Sequence, residues 1–480
     1  MKTRFLLVGL LLPLCIFAQD CNCASDFQWL KETFEKNDAG FAYALDRVGE
    51  KAYENHNNSF LEKVKDIKDS HGCVTTLREW LLFFRSGHLG IRELNPVAQE
   101  ELGQAAILAQ YKDSERLEVD VDAFTKYLSK KETIDYEGIW VSDPYKIGIK
   151  KIEDTYVGFI IEADGAYWTQ GQVKLKINAD GSCEYYMRDH SPQYFDRTEL
   201  LDGAYFKAGF ITLEREFPKV SAGEEVTRYF KTTSANKPYF EQLDENTTYL
   251  RIPTFQGNEK RTIDSVIFAN KVALTSSSNF IIDIRNNGGG SDRSYSELLP
   301  LMYTNPIRTP AVLLYSTPLN NQRMLDFIED PKYDFTDSEK EWARTSYEKL
   351  SKRLGEFVNV DSTDLEITTY PEILPNPKNV AILINENNGS TAEQFLLAAK
   401  QSRKVKLYGT TTQGVLDISN MYFVKSPCGD FELGYSLSKS LRIPAMAIDD
   451  KGIQPDYYMD PNIPSHNWIG FVQDYLNGME

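Results

Sequence analysis

The sequence has no stretch rich in lysine and arginine. With 53 Lys and Arg against 70 Asp and Glu, its formal net charge is −17, a surface that repels phosphate backbones and excludes nucleic acid as a partner. Beyond its first residues it has no long apolar run, so nothing else in it should span a membrane. Histidine is scarce, with five in 480 residues, and there are six cysteines. Cys21-Asn22-Cys23 has no second Cys pair and no His-x-x-x-His to complete a metal site, so neither a metal nor an organic cofactor is expected. Internal repeats and low-complexity tracts are missing as well. What is present is an ordinary globular composition, 41% hydrophobic, 12% aromatic and 26% charged, able to build sizeable cores. At ~150 residues per domain the length suggests about three domains.

The chain opens Met1-Lys2-Thr3-Arg4 and continues almost without a polar group from Phe5 to Phe17, the pattern of a secretory signal cut after Ala18. Export to the periplasm or the extracellular space follows. A lipid anchor at Cys15 is the competing reading, and Pro13-Leu14 before it argues against it. Cys21, Cys23, Cys73, Cys183 and Cys428 remain after the cut, an odd number in an oxidising compartment. A disulfide tying the new N-terminus to Cys73 is expected, with the other cysteines buried as small hydrophobes.

After the signal, 1–18, four segments differ in character. Residues 19–130 place apolar side chains at helical spacing, as in Phe27, Leu30 and Phe34 and again in Leu77, Trp80, Leu81 and Phe84. Residues 131–245 carry short alternating runs such as Tyr156 to Ile161 and Gln172 to Ile177 around the tight-turn signal Asn178-Ala-Asp-Gly181, and predict a small antiparallel β-domain. Residues 246–465 alternate strands (Thr248 to Ile252, Phe280 to Asp283, Val380 to Ile384) with helices, an α/β pattern. Within them, residues around 320–358 are rich in Glu, Lys and Arg and predict a solvated helical insertion. Residues 466–480 form a tail.

Open α/β sheets place ligands beyond the carboxyl ends of their strands, and two strands here end in unusual turns. The first runs Ile281-Ile-Asp283-Ile-Arg285-Asn286-Asn287-Gly288-Gly289-Gly290, where three glycines let backbone amides line a concavity suited to an oxyanion. Asp283 and Arg285 either pair with each other or hold a substrate carboxylate. The second runs Ile384-Asn385-Glu386-Asn387-Asn388-Gly389-Ser390-Thr391-Ala392-Glu393. Ser390 there is either the cap of a helix, with Glu393 completing a capping box, or a nucleophile exposed at a strand-turn-helix junction.

These two turns, followed in order by Gly409-Thr-Thr-Thr-Gln-Gly414 and Gly452-Ile-Gln-Pro-Asp456, resemble the motifs of the tail-specific, or C-terminal-processing, serine peptidases, a family that includes tricorn-type peptidases and the modules of interphotoreceptor retinoid-binding protein. The resemblance covers about Thr248 to Asp456 and a short stretch around His88. It implies a crotonase-like ββα spiral, with Ser390 as nucleophile. It also implies an oxyanion hole from Thr391 and the Gly288 to Gly290 turn, Gly289 being the glycine chosen. Members that use a lysine base carry it where this chain has Val415, which cannot take a proton, and Lys400, Lys404 and Lys406 read as surface charges. The tricorn-like branch uses a histidine instead, and Ser86-Gly87-His88-Leu89-Gly90 resembles its Gly-His-Thr segment. His88 is thus the implied base, whereas His56, His71, His190 and His466 read as packing or turn residues. Asp449 is in register for the acid that orients the base, with Asp450 and Asp417 as alternatives. Asp456 reads as a loop brace. The family's PDZ module has no counterpart in the β-domain. The expected function is an exported serine endopeptidase acting on polypeptides through an acyl-enzyme, and the alternative is a non-catalytic binding protein on the same fold.

Overall fold

The computed structural model describes residues 21–94, 108–109, 111–165 and 167–478. The expected signal segment and Cys15 lie outside them. The chain divides into two units, each assembled from separate stretches. One takes Met1–Asn95, Pro310–Asp364 and Asp417–Met446, and the other takes Pro96–Thr309, Leu365–Leu416 and Ala447–Glu480.

In the first unit the helical spacing of the N-terminal region produces helices Cys23–Asn37, Phe41–Val48, Glu50–Lys63 and Ser70–Leu82. Asn22 and Asp69 cap the first and last of these through their side chains, satisfying amides that a helix start leaves without partners. Phe27, Phe34, Trp80 and Phe84 pack edge to face or tilted at 4.9–5.8 Å between ring centres, and Trp80 Nε1 donates to Asn57 Oδ1 at 2.9 Å, so the one polar group of the indole is satisfied. Strand Phe431–Ser440 is the spine of an antiparallel sheet, flanked by Ile418–Lys425, Gly90–Glu93 and Val312–Tyr315.

The charged insertion forms helices Pro318–Glu329 and Asp337–Ser351, but it is not a solvated excursion. Met324, Phe327, Ala343 and Leu350 join the same core as Phe34, Trp80 and Leu433, while Glu341, Arg344 and Glu348 stay on the outer face. The helices are amphipathic, and a count of charges conceals their buried stripe. The disulfides also differ in part from expectation. Cys23 pairs with Cys73, tying the N-terminal stretch to that cysteine, and Cys183 is a buried free thiol, but Cys428 pairs with Cys21.

The second unit contains two large sheets. Residues Gly138 to Phe217 form an antiparallel nine-stranded sheet whose core includes Trp140, Ile147, Leu175, Tyr185, Phe206 and Leu213. Its Gly181 takes φ +85° at the predicted turn. The other sheet runs Tyr239–Gln242, Thr247–Arg251, Asn279–Asp283, Asn379–Ile384, Val405–Gly409 and Tyr457–Tyr458, parallel after its antiparallel first edge. Its strands are apolar on both faces. Phe280, Ile282, Val380, Ile382 and Leu407 point to one core with Ile263 and Phe395, and Tyr249, Ile281, Ala381 and Tyr408 point to the other with Trp468 and Val472. Burial on both sides explains the unbroken hydrophobic runs of these strands. Helix Trp468–Leu476 of the expected tail supplies part of that second core. The architecture is mixed α/β, and among the described residues no helix is long and apolar enough to cross a membrane.

Candidate active site

Strand Asn279–Asp283 delivers the glycine turn from a buried ionic anchor. Asp283, fully buried, takes Arg285 Nη2 at 2.6 Å, Arg251 Nη1 at 3.4 Å and the Tyr249 hydroxyl at 3.0 Å. Burial would raise the Asp283 carboxyl, but the two guanidinium groups hold it below the usual carboxylate range. Arg285 also donates to the Ser465 carbonyl at 2.9 Å and is only 5% exposed, so this pair is structural and does not receive a substrate carboxylate.

Asparagines then weld the two turns together. Asn286, at φ +63°, accepts from Asn385 Nδ2 at 2.7 Å and Asn387 Nδ2 at 2.9 Å, and its amide donates to Asn385 Oδ1 at 2.8 Å. Asn388, fully buried, donates to the carbonyls of Ile284 and Asn287 and accepts the Asn385 amide at 2.7 Å. The weld brings Gly289 against the serine. A Cβ on Gly289, which sits at φ +105°, would lie 2.9 Å from Ser390 Cβ and from the Thr391 amide and 2.8 Å from the Gly389 carbonyl. Only glycine fits there. The Gly289 amide itself donates to Asn287 Oδ1 at 3.0 Å.

Ser390 follows strand Asn379–Ile384 and directly precedes helix Thr391–Ala399. Its backbone is at φ +55°, ψ −124°, a conformation that costs a residue with a side chain roughly 1–3 kcal/mol. Its side chain makes no capping bond to the helix, so the capping reading is overturned. Glu393, which that reading required to reach back, points elsewhere. Fully buried, it accepts Thr412 Oγ1 at 2.6 Å, the Gly414 amide at 2.7 Å and the Val415 amide at 2.9 Å, fastening loop 412–415 to the serine helix. Burial, aided by Asp449, raises its pKa against these three donors. Sequence reasoning missed this role because the Ser-x-x-Glu spacing was its only signal and carries a commoner meaning.

Val415 packs at the serine turn, where a Cβ on Gly389 would lie 2.8 Å from Val415 Cγ2. The nearby lysines are engaged elsewhere: Lys400 with the Gln454 carbonyl at 3.4 Å, Lys404 with the Leu374 carbonyl at 2.6 Å, and Lys406 with Asp456 at 4.0 Å. Asp456 Oδ2 also accepts the Leu407 amide at 2.8 Å, the bracing role expected of it. Asp449 Oδ1 accepts the Leu416 amide at 2.6 Å, and the Asp450 amide donates to Gly414 at 2.9 Å.

Ser390, Thr391, Gly289 and Asp449 belong to one unit, and His88 and Asp417 to the other. Asp417 is fully buried and paired with Arg442 at 2.8 Å. His88 takes φ +52° just past helix Ser70–Leu82, and its Nδ1 lies 2.8 Å from the Ile418 carbonyl. A carbonyl only accepts, so Nδ1 carries the proton and Nε2 the lone pair. Burial lowers the pKa of His88, the bond to Ile418 opposes that, and the charge of Arg85 adds to the lowering. His56 and His190 are packing residues, stacked on Phe83 at 4.1 Å and on Trp168 at 3.7 Å.

The model of peptidase family S41 matches residues 246–459, the stretch that holds both turns. No curated protein matches the chain. Among solved structures, mature CPAF complexed with lactacystin is 14% identical with a TM-score of 0.50, covering 95% of this chain and 97% of that one. A peptidase structure from Parabacteroides merdae ATCC 43184 is 12% identical (TM-score 0.44, 95% and 96% covered), and the photosystem II D1 C-terminal processing protease is 13% identical (TM-score 0.39, 94% and 96% covered). At such identities the likeness to CPAF is one of fold. The family match over the two welded turns identifies residues 246–459 as a serine-type peptidase segment of family S41.

Proposed function

We propose that the protein is an exported endopeptidase that cleaves polypeptides through a Ser-His-Asp triad on a crotonase-like spiral, with Ser390 as nucleophile, His88 as base and Asp449 as the acid, its role reduced from the expected orienting of His88, whose Nδ1 the Ile418 carbonyl holds, to compensating the charge on it. The observation that carries this reading is the serine itself: a strained residue at a strand-to-helix turn, with no capping duty, against a glycine that nothing larger could replace. His88 Nε2 takes the Ser390 proton as Oγ attacks the peptide carbonyl, and later returns it to the leaving amine. The oxyanion hole is assigned to the Thr391 amide, which has no acceptor within its own helix, and to the Gly289 amide. Gly289 would exchange the neutral oxygen of Asn287 for the charged oxyanion, a stronger acceptor. Two disulfides support export, since such bonds persist in oxidising compartments.

The test is digestion of an unfolded protein by the chain, read by mass spectrometry beside Ser390→Ala, His88→Ala and Asp449→Asn. Cleavage that is lost in the first two and reduced in the third supports the triad, and the fragment ends report whether cuts fall near C-termini. A chain that binds peptides but cuts none returns the alternative of a binding protein.

A further inference from the structure

His88 sits on a backbone its residue type does not favour. At φ +52° a residue bearing a side chain is strained, and such a conformation persists only where the surroundings over-determine it. The surroundings here are ionic. Arg85, three residues earlier, curls back so that its Nε donates to the Gly87 carbonyl at 3.0 Å and its Nη2 to the His88 carbonyl at 3.0 Å. The guanidinium is itself gripped by Asp38 in a two-pronged pair, Nη1 to Oδ1 at 2.7 Å and Nη2 to Oδ2 at 2.6 Å, with the arginine side chain 8% and the aspartate 0% exposed. Asp38 further accepts the amides of Gly40 at 2.9 Å and Ser436 at 3.0 Å, and Ser436 Oγ donates to the His88 carbonyl at 2.9 Å. The missing side chain of Gly40 makes room, because a Cβ there would lie 2.7 Å from Arg85 Nη1.

The ring side is anchored in the same way. Ile418, whose carbonyl takes Nδ1, follows Asp417, and the buried Asp417–Arg442 pair with the Ser440-to-Asp417 backbone bond holds that strand start. A buried ion pair is a poor source of stability but a good source of fixed geometry, because both partners must be met at set angles.

We propose that the Arg85–Asp38 ion pair is a positioning device for His88, holding the Gly87–His88 backbone in the left-handed turn that aims the imidazole Nδ1 at the Ile418 carbonyl and so presents Nε2 as the base. This rests on the reading of His88 as the base. The charge that bears on the imidazole is that of Arg85, which is paired with Asp38, while the Asp417–Arg442 pair lies next to Ile418 in sequence.

The experiment measures kcat, KM and the pH dependence of kcat/KM for the whole chain and for His88→Ala, Arg85→Lys, Arg85→Gln and Ser436→Ala, with a thermal melt of each. Lysine keeps the charge but cannot fork, so Arg85→Lys should lower kcat at least about tenfold with KM nearly unchanged and the acid limb in place. Arg85→Gln should lower kcat as far and also move the acid limb to higher pH, because removing a positive charge lets His88 take a proton more readily. Ser436→Ala removes the hydroxyl that accepts Arg85 Nη2 at 3.2 Å and donates to the His88 carbonyl, so it loosens the guanidinium from the turn without changing charge and should give a smaller fall of about two- to fivefold, the readout that remains if the arginine variants fail to fold. Wild-type kcat in both Arg85→Lys and Ser436→Ala, or an acid limb unmoved in folded Arg85→Gln, overturns the positioning role while leaving His88 as base. Activity retained in His88→Ala overturns the base itself.

Discussion

Ser390 and Glu393 show how one four-residue spacing serves two ends. A capping box and a nucleophile at a helix start share the pattern Ser-x-x-Glu, and they part only in where the carboxylate turns, which depends on Thr412, Gly414 and Val415, some twenty residues on. The strand-to-helix turn at Ser390 and the glycine triplet were legible from local chemistry, the choice between cap and nucleophile came only from the family resemblance, and the loop clamp was not legible at all. Three predictions belong at this scale. Gly289→Ala places a methyl 2.8–2.9 Å from backbone and Cβ atoms that cannot swing aside, so it should displace the serine turn and cut kcat/KM by about a hundredfold while the far-ultraviolet spectrum stays native. Glu393→Gln turns an NH2 group toward backbone amides that need an acceptor and should destabilise the protein by about 1–3 kcal/mol in denaturant titration. The depressed pKa of His88 likewise places the acid limb of kcat/KM below the ordinary histidine value of 6.5.

Among the elements, the nine-stranded sheet carries a residue that its alternation could not foretell. Between strands Thr155–Glu162 and Val173–Ile177 the register slips, leaving Lys174 as the extra residue of a bulge. The bulge buries Lys174 completely, its ammonium 3.9 Å from the Trp168 ring centre and 4.2 Å from that of Tyr145, bonded to the Met187 carbonyl at 3.2 Å. Burial pulls its pKa down to about 7 against the pull of Asp189 and Asp164. The unfolded chain then binds one more proton than the folded one between about pH 7 and the ordinary lysine value of 10.5, so stability rises with pH across that window, and the penalty is largest below it. Lys174→Met should therefore stabilise the protein by ~1–4 kcal/mol at pH 6, with the gain shrinking toward pH 10, as melts across pH would show. A penalty the same at both pH values would mean that Lys174 is charged in neither state or in both.

At the scale of the whole molecule, the fold class was readable because the parallel strands are apolar on both faces and the β-domain strands are bounded by turns. How distant stretches share a core was not. Phe34, Met324 and Leu433 pack in one cluster although hundreds of residues separate them, and no local period encodes which amphipathic face meets which. The Cys21–Cys428 bond closes a separation of 407 residues and was equally hidden. Replacing both cysteines with serine frees the unfolded chain and should cost about 2–4 kcal/mol, seen as a lower Tm than that of the native chain under oxidising conditions.

Ser390 as a nucleophile activated by His88 is open to a direct chemical test. A fluorophosphonate, which phosphonylates activated serines with loss of fluoride, tests it without knowledge of the substrate. Peptide mapping should find one adduct, on Ser390, formed rapidly by the native chain, absent in Ser390→Ala and slowed at least about a hundredfold in His88→Ala. An adduct on a different serine, or equal labelling of Ser390 with and without His88, would contradict it.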